Sequence, residues 1–305
     1  MFKNYSDIMT ACRDIGKFTI SVAVAQDEDV LNAVKVANDN ELANAILVGD
    51  ECKIKPILEK IQFGNAEIIH EPDEQSAAKR AVSLIRDKQA DVLMKGLINS
   101  SDFMRAVLDS NTGLKKWSLL SHLAVYEIPG QRKLFFMTDG GLNINPDLND
   151  KKGILLNAID ALERMGIDNP KVAILAANEK VNSKMQSTID AESLVEMRER
   201  GEIPTGIIEG PIALDVAISR KAAEHKGIKS YISEDVDLFM VHNIDAGNLL
   251  GKTLMYYANA KMAGLVLGAV CPIVLTSRAE TSEGKLNSIA MANLMSRTSC
   301  SVNHL

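Results

Sequence analysis

The sequence predicts an α/β fold with parallel sheets, on three observations. Short apolar runs rich in Val, Ile and Leu recur along the 305 residues, each bounded by Gly, Asn or Asp. Amphipathic stretches with helical spacing separate most of these runs. The runs are almost continuously apolar, as in strands that are covered on both faces. Strand alternating with helix implies parallel pairing through right-handed crossovers.

The predicted elements follow one another along the whole chain. The strand candidates are "FTISVAVA", "AILVG", "AEIIH", "DVLMKG", "HLAVYEI", "KLFFMTDGG", "KVAILAA", "VDLFMVHN" and "AGLVLGAV". The helix candidates between them are Asp27 to Asn38, Glu51 to Ile61, Ser76 to Asp87, Lys151 to Met165 and Asp245 to Met262.

The stretch "EIPGQRKLFFMTDGGLNINPDLNDKKG" marks a domain crossing near Glu127, because it is rich in turn residues and joins two consecutive strand candidates. A last helix around Ser282 to Met295 is expected to pack back on the first half. We therefore predict two α/β domains: residues 1–126 with 264–305, and an inserted domain of residues 127–263.

Composition excludes several classes of function. The chain is 46% apolar and 24% charged, as a well-packed globule requires, and only 4% aromatic. The net charge is -6 and no Lys/Arg-dense tract occurs, which argues against nucleic acid as a partner. No apolar run has membrane-spanning length and the N-terminus lacks an apolar signal core, so we expect a cytoplasmic protein without a membrane partner.

Several familiar motifs are absent or imperfect. The cysteines Cys12, Cys52, Cys271 and Cys300 have no metal-ligand spacing, and we expect them to be reduced and structural. The five histidines show no ligand spacing either, so we expect surface or hydrogen-bonded side chains and no metal. No GxGxxG or GxSxG motif occurs at a strand end. "DAGNLLGKT" has one residue too few for a phosphate loop, so we predict a helix that already contains Gly251 and Lys252.

The stretch "CPIVLTSRAETSEGKL" contains the first candidate site. "TSRAE" fits a capping box, in which Ser277 caps a helix and Glu280 reaches back. Arg278 remains unexplained by a cap, because a cation in the first turn of a helix opposes the macrodipole. A bound anion would resolve the conflict, since helix N-termini and guanidinium groups both attract phosphate. Both interpretations stay open.

Two further segments are candidates for ligand binding. Arg105 follows the strand "DVLMKG", at a strand end where open α/β sheets bind ligands; alternatively, Asp102 and Asp109 simply pair with it on a solvated helix face. "FMTDGGLNINP" supplies Asp139, Gly140, Asn143 and Asn145, which suit a loop that approaches a ligand or a turn at the domain crossing.

Taken together, five segments resemble the phosphate acetyl- and butyryltransferase family, in the family's order. They are "MKGLINSSDFMRAVL", "FMTDGGLNINP", "EGPIALDVAIS", "DLFMVHNIDAGNLLGKTL" and "VLTSRAETSEGKLNSIA". The length and the "LTSRAET" form resemble the butyryl branch more than the acetyl branch. The resemblance implies reversible transfer of a short acyl group between coenzyme A and phosphate. It also implies two α/β domains around a cleft, with an isocitrate/isopropylmalate-dehydrogenase-like architecture, a homo-oligomer and no cofactor, because coenzyme A is a substrate.

The resemblance also implies roles for particular residues. Ser277 and Arg278 match the family's catalytic Ser-Arg pair, and Arg105 matches an arginine assigned to phosphate or acyl-phosphate binding. The acetyl enzymes carry an aspartate, the proposed base, where this chain has Gly284. We expect Glu283 to substitute for it, with Glu280 as the next candidate.

A second departure from the family concerns Gly140. The acetyl enzymes place a cysteine at this position, and the smaller residue suggests room for a longer acyl chain.

The sequence offers no covalent nucleophile with a partner base, so we expect direct attack in a ternary complex. Two alternatives stay open. A metal- and NAD-dependent decarboxylating dehydrogenase of the same fold would need metal-binding aspartates, for which Asp235 and Asp237 are candidates. A non-catalytic acyl-CoA-binding protein would explain the missing aspartate at Gly284.

Overall fold

A computed structural model describes residues 2–64, 66–117, 119–276 and 280–297. The strands in these ranges are β1 (Phe18–Ala23), β2 (Ala43–Gly49), β3 (Glu67–His70), β4 (Val92–Lys95), β5 (Ser121–Glu127), β6 (Phe135–Thr138), β7 (Lys171–Leu175), β8 (Ile207–Ile212), β9 (Leu238–Met240), β10 (Lys261–Leu267) and β11 (Ile273–Val274). The helices are α1 (Tyr5–Ile15), α2 (Glu28–Asp39), α3 (Glu51–Lys60), α4 (Glu74–Arg86), α5 (Ser100–Val107), α6 (Leu148–Arg164), α7 (Gln186–Glu199), α8 (Leu214–Ile218), α9 (Arg220–His225), α10 (Ile244–Tyr257) and α11 (Ser282–Arg297).

Short polar side chains set the starts of many helices. Asp27, Asp50, Asp73 and Asp147 each accept a hydrogen bond from a backbone N–H in the first turn of α2, α3, α4 and α6. Such caps satisfy donors that have no partner inside the helix. The apolar face of each amphipathic helix then packs on a sheet, which explains the alternation seen in the sequence.

The chain forms two compact units. The first, here called the outer unit, contains residues 2–117 and 262–297 of the described chain. Its strands have the order β3-β2-β1-β4-β11-β10. All neighbours are parallel except β10 and β11, which are antiparallel. Helix α11 returns to the first part of the chain, where it packs against α1 and α2.

The second unit, here called the inserted unit, contains residues 119–261. Its strands have the order β5-β6-β9-β7-β8, with β5 antiparallel to β6 and the others parallel. Strand β5 belongs to this unit because it pairs with β6, whereas the crossing predicted near Glu127 assigned it to the first domain. The predicted cleft between two domains stays a prediction.

The glycine-rich segment "DAGNLLGKT" is helical, as the sequence predicts. Asn243 caps α10 by accepting a hydrogen bond from the backbone N–H of Ala246, and Gly251 and Lys252 lie within the helix. The helix ends at Tyr257, earlier than predicted. None of the helices in the described part of the chain has the length and apolar character that a membrane span requires.

Candidate active site

The chain leaves β4 and β11 at the carboxyl edge of the sheet in the outer unit, here called the outer sheet, before it reaches the first group of candidate residues. Strands β4 and β11 are parallel neighbours, with Val274 opposite Met94. Helix α5 begins after β4 and α11 begins after β11, so both helices start from the same edge. Open α/β sheets bind ligands at this edge. Lys95, the last residue of β4, is only 5% exposed there, and the sequence analysis did not single it out.

Arg105 lies on α5, as predicted from its position after β4. Its Nη1 donates a hydrogen bond to Asp102 Oδ1 at 2.7 Å, and the arginine side chain is 68% exposed. Asp109, the second expected partner, instead accepts hydrogen bonds from the backbone N–H groups of Asn111 and Thr112. An exposed ion pair of this kind contributes little to stability, so an anionic ligand can compete with Asp102 for the guanidinium.

Ser277 and Arg278 lie outside the described residues, so their expected catalytic roles stay predictions. The capping box predicted for Ser277 and Glu280 is wrong, because α11 begins only at Ser282. Thr281 provides the cap instead: its Oγ1 accepts the backbone N–H of Gly284 at 3.1 Å. The macrodipole argument that placed Arg278 in the first helical turn fails for the same reason.

Two glutamates near the start of α11 differ in their surroundings. Glu283 is exposed in the first turn. Glu280 is half-buried, and its carboxyl group lies against the Cα of Gly284: a Cβ built there would be 2.2 Å from Glu280 Oε1. Burial raises the pKa of Glu280, and the neighbouring Lys285 ammonium opposes the rise. Lys285 is itself buried, and its Nζ donates to the Glu280 carbonyl oxygen at 2.5 Å.

The second group of candidate residues forms the loop after β6 in the inserted unit. Asp139 is buried, and both oxygens of its carboxylate accept hydrogen bonds. Oδ1 accepts from the backbone N–H groups of Gly141 at 2.9 Å and Leu142 at 2.8 Å. Oδ2 accepts from the backbone N–H of His122 at 2.9 Å and from Asn143 Nδ2 at 2.7 Å. Protein donors therefore occupy this carboxylate, and its role is to shape the loop.

The other predicted residues of this loop have different environments. Asn143 is half-buried, and its Nδ2 also donates to the Leu120 carbonyl oxygen at 2.9 Å. Asn145 is exposed. Gly140 is buried against α10, where a Cβ would lie 2.8 Å from the backbone carbon of Gly247. Helix backbone thus fills the space beside Gly140, which argues against room for a longer acyl chain at this glycine.

His122 departs from the expectation that every histidine is hydrogen-bonded or at the surface. The side chain is buried, and its Nδ1 has no hydrogen-bond partner among the residues that the structure describes. Gly141 lies over the ring, since a Cβ there would be 2.8 Å from His122 Cγ. Desolvation lowers the pKa of His122, against the opposing charge of Asp139. The imidazole is therefore neutral near pH 7.

A buried ion pair joins α6 and α7 in the inserted unit, and the sequence analysis missed it. Lys151 on α6 is 3% exposed, and its Nζ lies 2.5 Å from Asp190 Oδ2 on α7. The ammonium also lies 2.9 Å from His242 Nδ1, just after β9. A charged lysine can only donate, so His242 accepts through Nδ1 and carries its proton on Nε2. Desolvation, followed by the Lys151 charge, lowers the pKa of His242.

The aspartates expected for a metal-dependent dehydrogenase are paired with lysines. Lys133 Nζ lies 3.0 Å from Asp235 Oδ1 and 2.8 Å from Asp237 Oδ1, and Lys171 pairs with Asp235 as well. The hydrogen bond from Lys171, followed by that from Lys133, lowers the pKa of Asp235 to about 2. These carboxylates lie at the amino ends of β7 and β9, opposite the ligand-binding edge. Within the described ranges, no three His, Cys, Asp or Glu side chains form a metal-binding group.

The cysteines that the structure describes are free thiols: Cys12, Cys52 and Cys271. Burial raises the pKa of Cys12 and of Cys271 to about 12. A thiol with such a pKa is protonated at neutral pH and is a poor nucleophile. Cys12 and Cys271 are therefore structural.

A mostly parallel α/β fold with basic, amide and carboxyl groups near the carboxyl ends of its strands defines the class of α/β proteins whose candidate ligand sites lie at strand ends. Residues 65–293 match the model of the family described as "Phosphate acetyl/butaryl transferase". The chain belongs to this family.

Individual relatives agree with this assignment. The phosphate butyryltransferase of Clostridium beijerinckii is 42% identical over 297 residues, which cover 97% of this chain and 98% of that protein. A branched-chain phosphotransacylase from Enterococcus faecalis V583 has a similar structure, with a TM-score of 0.81 and 31% identity over 92% of this chain and 99% of that one.

A 4-hydroxythreonine-4-phosphate dehydrogenase from Klebsiella pneumoniae shares the fold alone. Its TM-score is 0.57 at 13% identity, covering 92% of this chain and 100% of that one. The α/β fold is thus common to acyltransferases and a dehydrogenase.

Proposed function

We propose that this chain transfers a short acyl group, most readily butyryl, between coenzyme A and inorganic phosphate. In one direction acyl-CoA and phosphate give acyl phosphate and free coenzyme A, and the reaction is reversible. No resident cofactor takes part, since coenzyme A enters and leaves as a substrate. The observation that carries the proposal is the 42% identity to a phosphate butyryltransferase over 97% of the chain.

The reaction needs positive charge and N–H donors where negative charge develops. As the thiolate attacks the acyl phosphate, charge grows on the carbonyl oxygen and stays on the departing phosphate. We assign this stabilisation to Ser277 and Arg278, with Arg105 binding the phosphate. The exposure of Arg105 and its single-point contact with Asp102 support this role, because phosphate offers a guanidinium two oxygens at once.

The loop after β6 is a second candidate for substrate binding, within the inserted unit. Because protein donors saturate Asp139, this residue acts by positioning. Gly141 and Asn145 are exposed on the loop and are the groups that a substrate can approach. We propose that Asn143 keeps the loop in its binding conformation through its bonds to Asp139 and Leu120.

Direct transfer in a ternary complex is favoured over an acyl-enzyme. A covalent mechanism needs a nucleophile activated by a neighbouring base or by a lowered pKa. The pKa of Cys12 and of Cys271 is raised to about 12 by burial, which is the opposite of activation. Coenzyme A, acyl phosphate, acyl-CoA and phosphate are then the only small-molecule partners that the reaction requires.

We further propose a cytoplasmic homo-oligomer. Free thiols at Cys12, Cys52 and Cys271 fit a reducing compartment. Helix α10 exposes Leu249, Tyr256 and Tyr257, and Tyr257 is 88% exposed. Exposed apolar side chains grouped on one helix favour an interface with a second copy of the chain.

Thiol release from butyryl-CoA tests the proposed activity. The purified chain should release coenzyme A only when phosphate is added, and butyryl phosphate should form in equal amount. Butyryl-CoA binding without turnover would instead identify a non-catalytic binding protein. If the chain showed no butyryl-CoA binding and no turnover, the acyltransferase proposal would be contradicted altogether.

A further inference from the structure

Glu280, which precedes α11, has a side chain whose position depends on a glycine in the first turn of that helix. Glu280 folds over the first turn of the helix, so that its carboxyl group lies on the Cα of Gly284. A Cβ at Gly284 would be 2.2 Å from Glu280 Oε1, 2.8 Å from Cδ and 3.0 Å from Cγ. Any other residue at position 284 would therefore displace this carboxyl group.

The backbone around Glu280 is held in place from the helix. Thr281 Oγ1 caps α11 through the Gly284 N–H at 3.1 Å, and the Thr281 carbonyl oxygen accepts the Lys285 N–H at 3.0 Å. The buried Lys285 ammonium donates to the Glu280 carbonyl oxygen. These contacts hold the backbone at Glu280, and the packing of its side chain on Gly284 places the carboxyl group beside the first turn of α11.

Glu280 follows β11 in the chain, and the carboxyl end of β11 lies at the edge of the outer sheet, where open α/β sheets bind ligands. Strand β11 ends beside β4, where Val274 pairs with Met94. Glu280 follows a few residues later, and α5 with Arg105 starts from the end of β4. Glu283, by contrast, lies on the exposed face of α11.

We infer that Glu280 is the general base of the proposed acyl transfer, and that Gly284 is the residue that makes space for it. This inference rests on the proposed function. When coenzyme A attacks the acyl phosphate, the S–H bond breaks and its proton moves to the Glu280 carboxylate. The S–C bond forms, the C–O bond to phosphate breaks, and phosphate leaves with the electron pair. In the reverse direction Glu280 returns the proton to the coenzyme A sulfur.

The electrostatics of Glu280 suit this role. Desolvation raises its pKa, while Lys285 is the charged neighbour that opposes the rise. A base whose pKa lies closer to that of a thiol, about 8.5, accepts the thiol proton more readily. The carboxylate must be ionised to act, so the rate in the coenzyme A-consuming direction falls as the pH decreases through its raised pKa.

Variants of this chain test the inference, with butyryl phosphate and coenzyme A as substrates and thioester formation as the signal. Glu280→Gln should lower kcat about 10²- to 10⁴-fold and abolish the acidic limb of the pH profile. Gly284→Ala should fold normally yet lower kcat, since its Cβ displaces the carboxyl group. The double variant Glu280→Ala/Gly284→Asp returns a carboxylate to the same space and should recover at least tenfold over Glu280→Ala, with an acidic limb.

Circular dichroism and thermal unfolding verify that each variant is folded, and Glu59→Gln on the remote helix α3 serves as a matched control. Wild-type rate and pH profile in Glu280→Gln, with the acidic limb lost in Glu283→Gln, would overturn the inference and make Glu283 the base. A wild-type chain without any phosphate-dependent transfer would instead overturn the proposed function, and this inference with it.

Discussion

Asn143 and Asp139 are joined by a hydrogen bond of 2.7 Å from the side-chain amide to the carboxylate. The same carboxylate also accepts backbone N–H groups from two segments of the inserted unit, at His122 before β6 and at Gly141 after it. One side chain thus connects the start of β5 with the loop that follows β6. A rigid loop is what a preorganised binding site needs, because its donors then require no reorganisation during the reaction.

Asp139→Asn tests this organising role. The substitution replaces one acceptor oxygen by an NH₂ group and leaves buried N–H groups without partners, at about 1–3 kcal/mol for each. We expect a lower free energy of unfolding in urea and a loss of kcat. Asp109→Asn is a matched control, because Asp109 accepts similar turn N–H groups at an exposed position. Equal losses in the two variants would contradict the special role of Asp139.

The fold could be predicted from the sequence where the local pattern matched the final environment. The runs "FTISVAVA" and "AEIIH" became β1 and β3 because both are short, apolar and bounded by polar residues. Strand β8 was missed because it contains Gly210 and Pro211, which normally interrupt strands. It is an edge strand in the inserted unit, where a proline is tolerated. Strand β11 has only two residues and leaves no recognisable pattern.

The candidate site could be predicted only in part. The resemblance pointed to Arg105 and the Asp139 loop, because the family's motifs can be recognised directly in the sequence. The spacing of residues in the sequence could not reveal that Glu280 lies over Gly284, because a glycine in a sequence does not indicate which side chain occupies the space beside it. Lys151 was equally hidden, since a lysine in an amphipathic stretch is normally solvated. Its burial depends on Asp190, which is distant in sequence.

Gly140→Ala distinguishes close packing from acyl-chain selection. The added Cβ would lie 2.8 Å from the Gly247 backbone carbon, which no side-chain rotation can relieve. We expect a loss of about 1–3 kcal/mol in the free energy of unfolding, as in overpacked cores. Gly64→Ala, where a Cβ meets nothing within 4 Å, serves as the control. A stable Gly140→Ala variant that shifts its kcat/KM preference from butyryl-CoA to acetyl-CoA would restore the chain-length hypothesis.

Lys151→Met tests the buried ion pair between α6 and α7. Removing the ammonium leaves Asp190 buried without its partner, which typically costs about 3–5 kcal/mol. We expect a marked decrease in the urea midpoint, largely recovered in Lys151→Met/Asp190→Leu, where both charges are absent. Lys152→Met is a matched control, because the neighbouring Lys152 pairs with Glu202 closer to the surface. Similar decreases in the urea midpoint for the two single substitutions would show that the buried pair contributes no more to stability than the exposed pair.

His122 makes stability depend on pH. Its ordinary pKa is 6.5, and burial lowers this value in the folded chain. Below pH 6.5 the unfolded chain therefore binds a proton that the folded chain does not bind, so stability decreases as the pH falls toward the lowered pKa. Urea unfolding between pH 7.5 and 5.5 should show the decrease, by at most about 1.4 kcal/mol per pH unit for one histidine. His122→Gln should flatten this dependence; an unchanged slope would contradict the assignment.

Arg278→Ala tests the proposed stabilisation of charge in the transition state. Removing one such donor typically costs about 2.7–4 kcal/mol, or roughly 10²- to 10³-fold in kcat. We expect that loss without a change in thermal unfolding, because the guanidinium acts on the substrate. Arg132→Ala, which removes an exposed arginine from the turn before β6, is the control and should retain wild-type kcat. Near-normal turnover in Arg278→Ala would contradict the role, since no other residue of the "TSRAE" segment carries a positive charge.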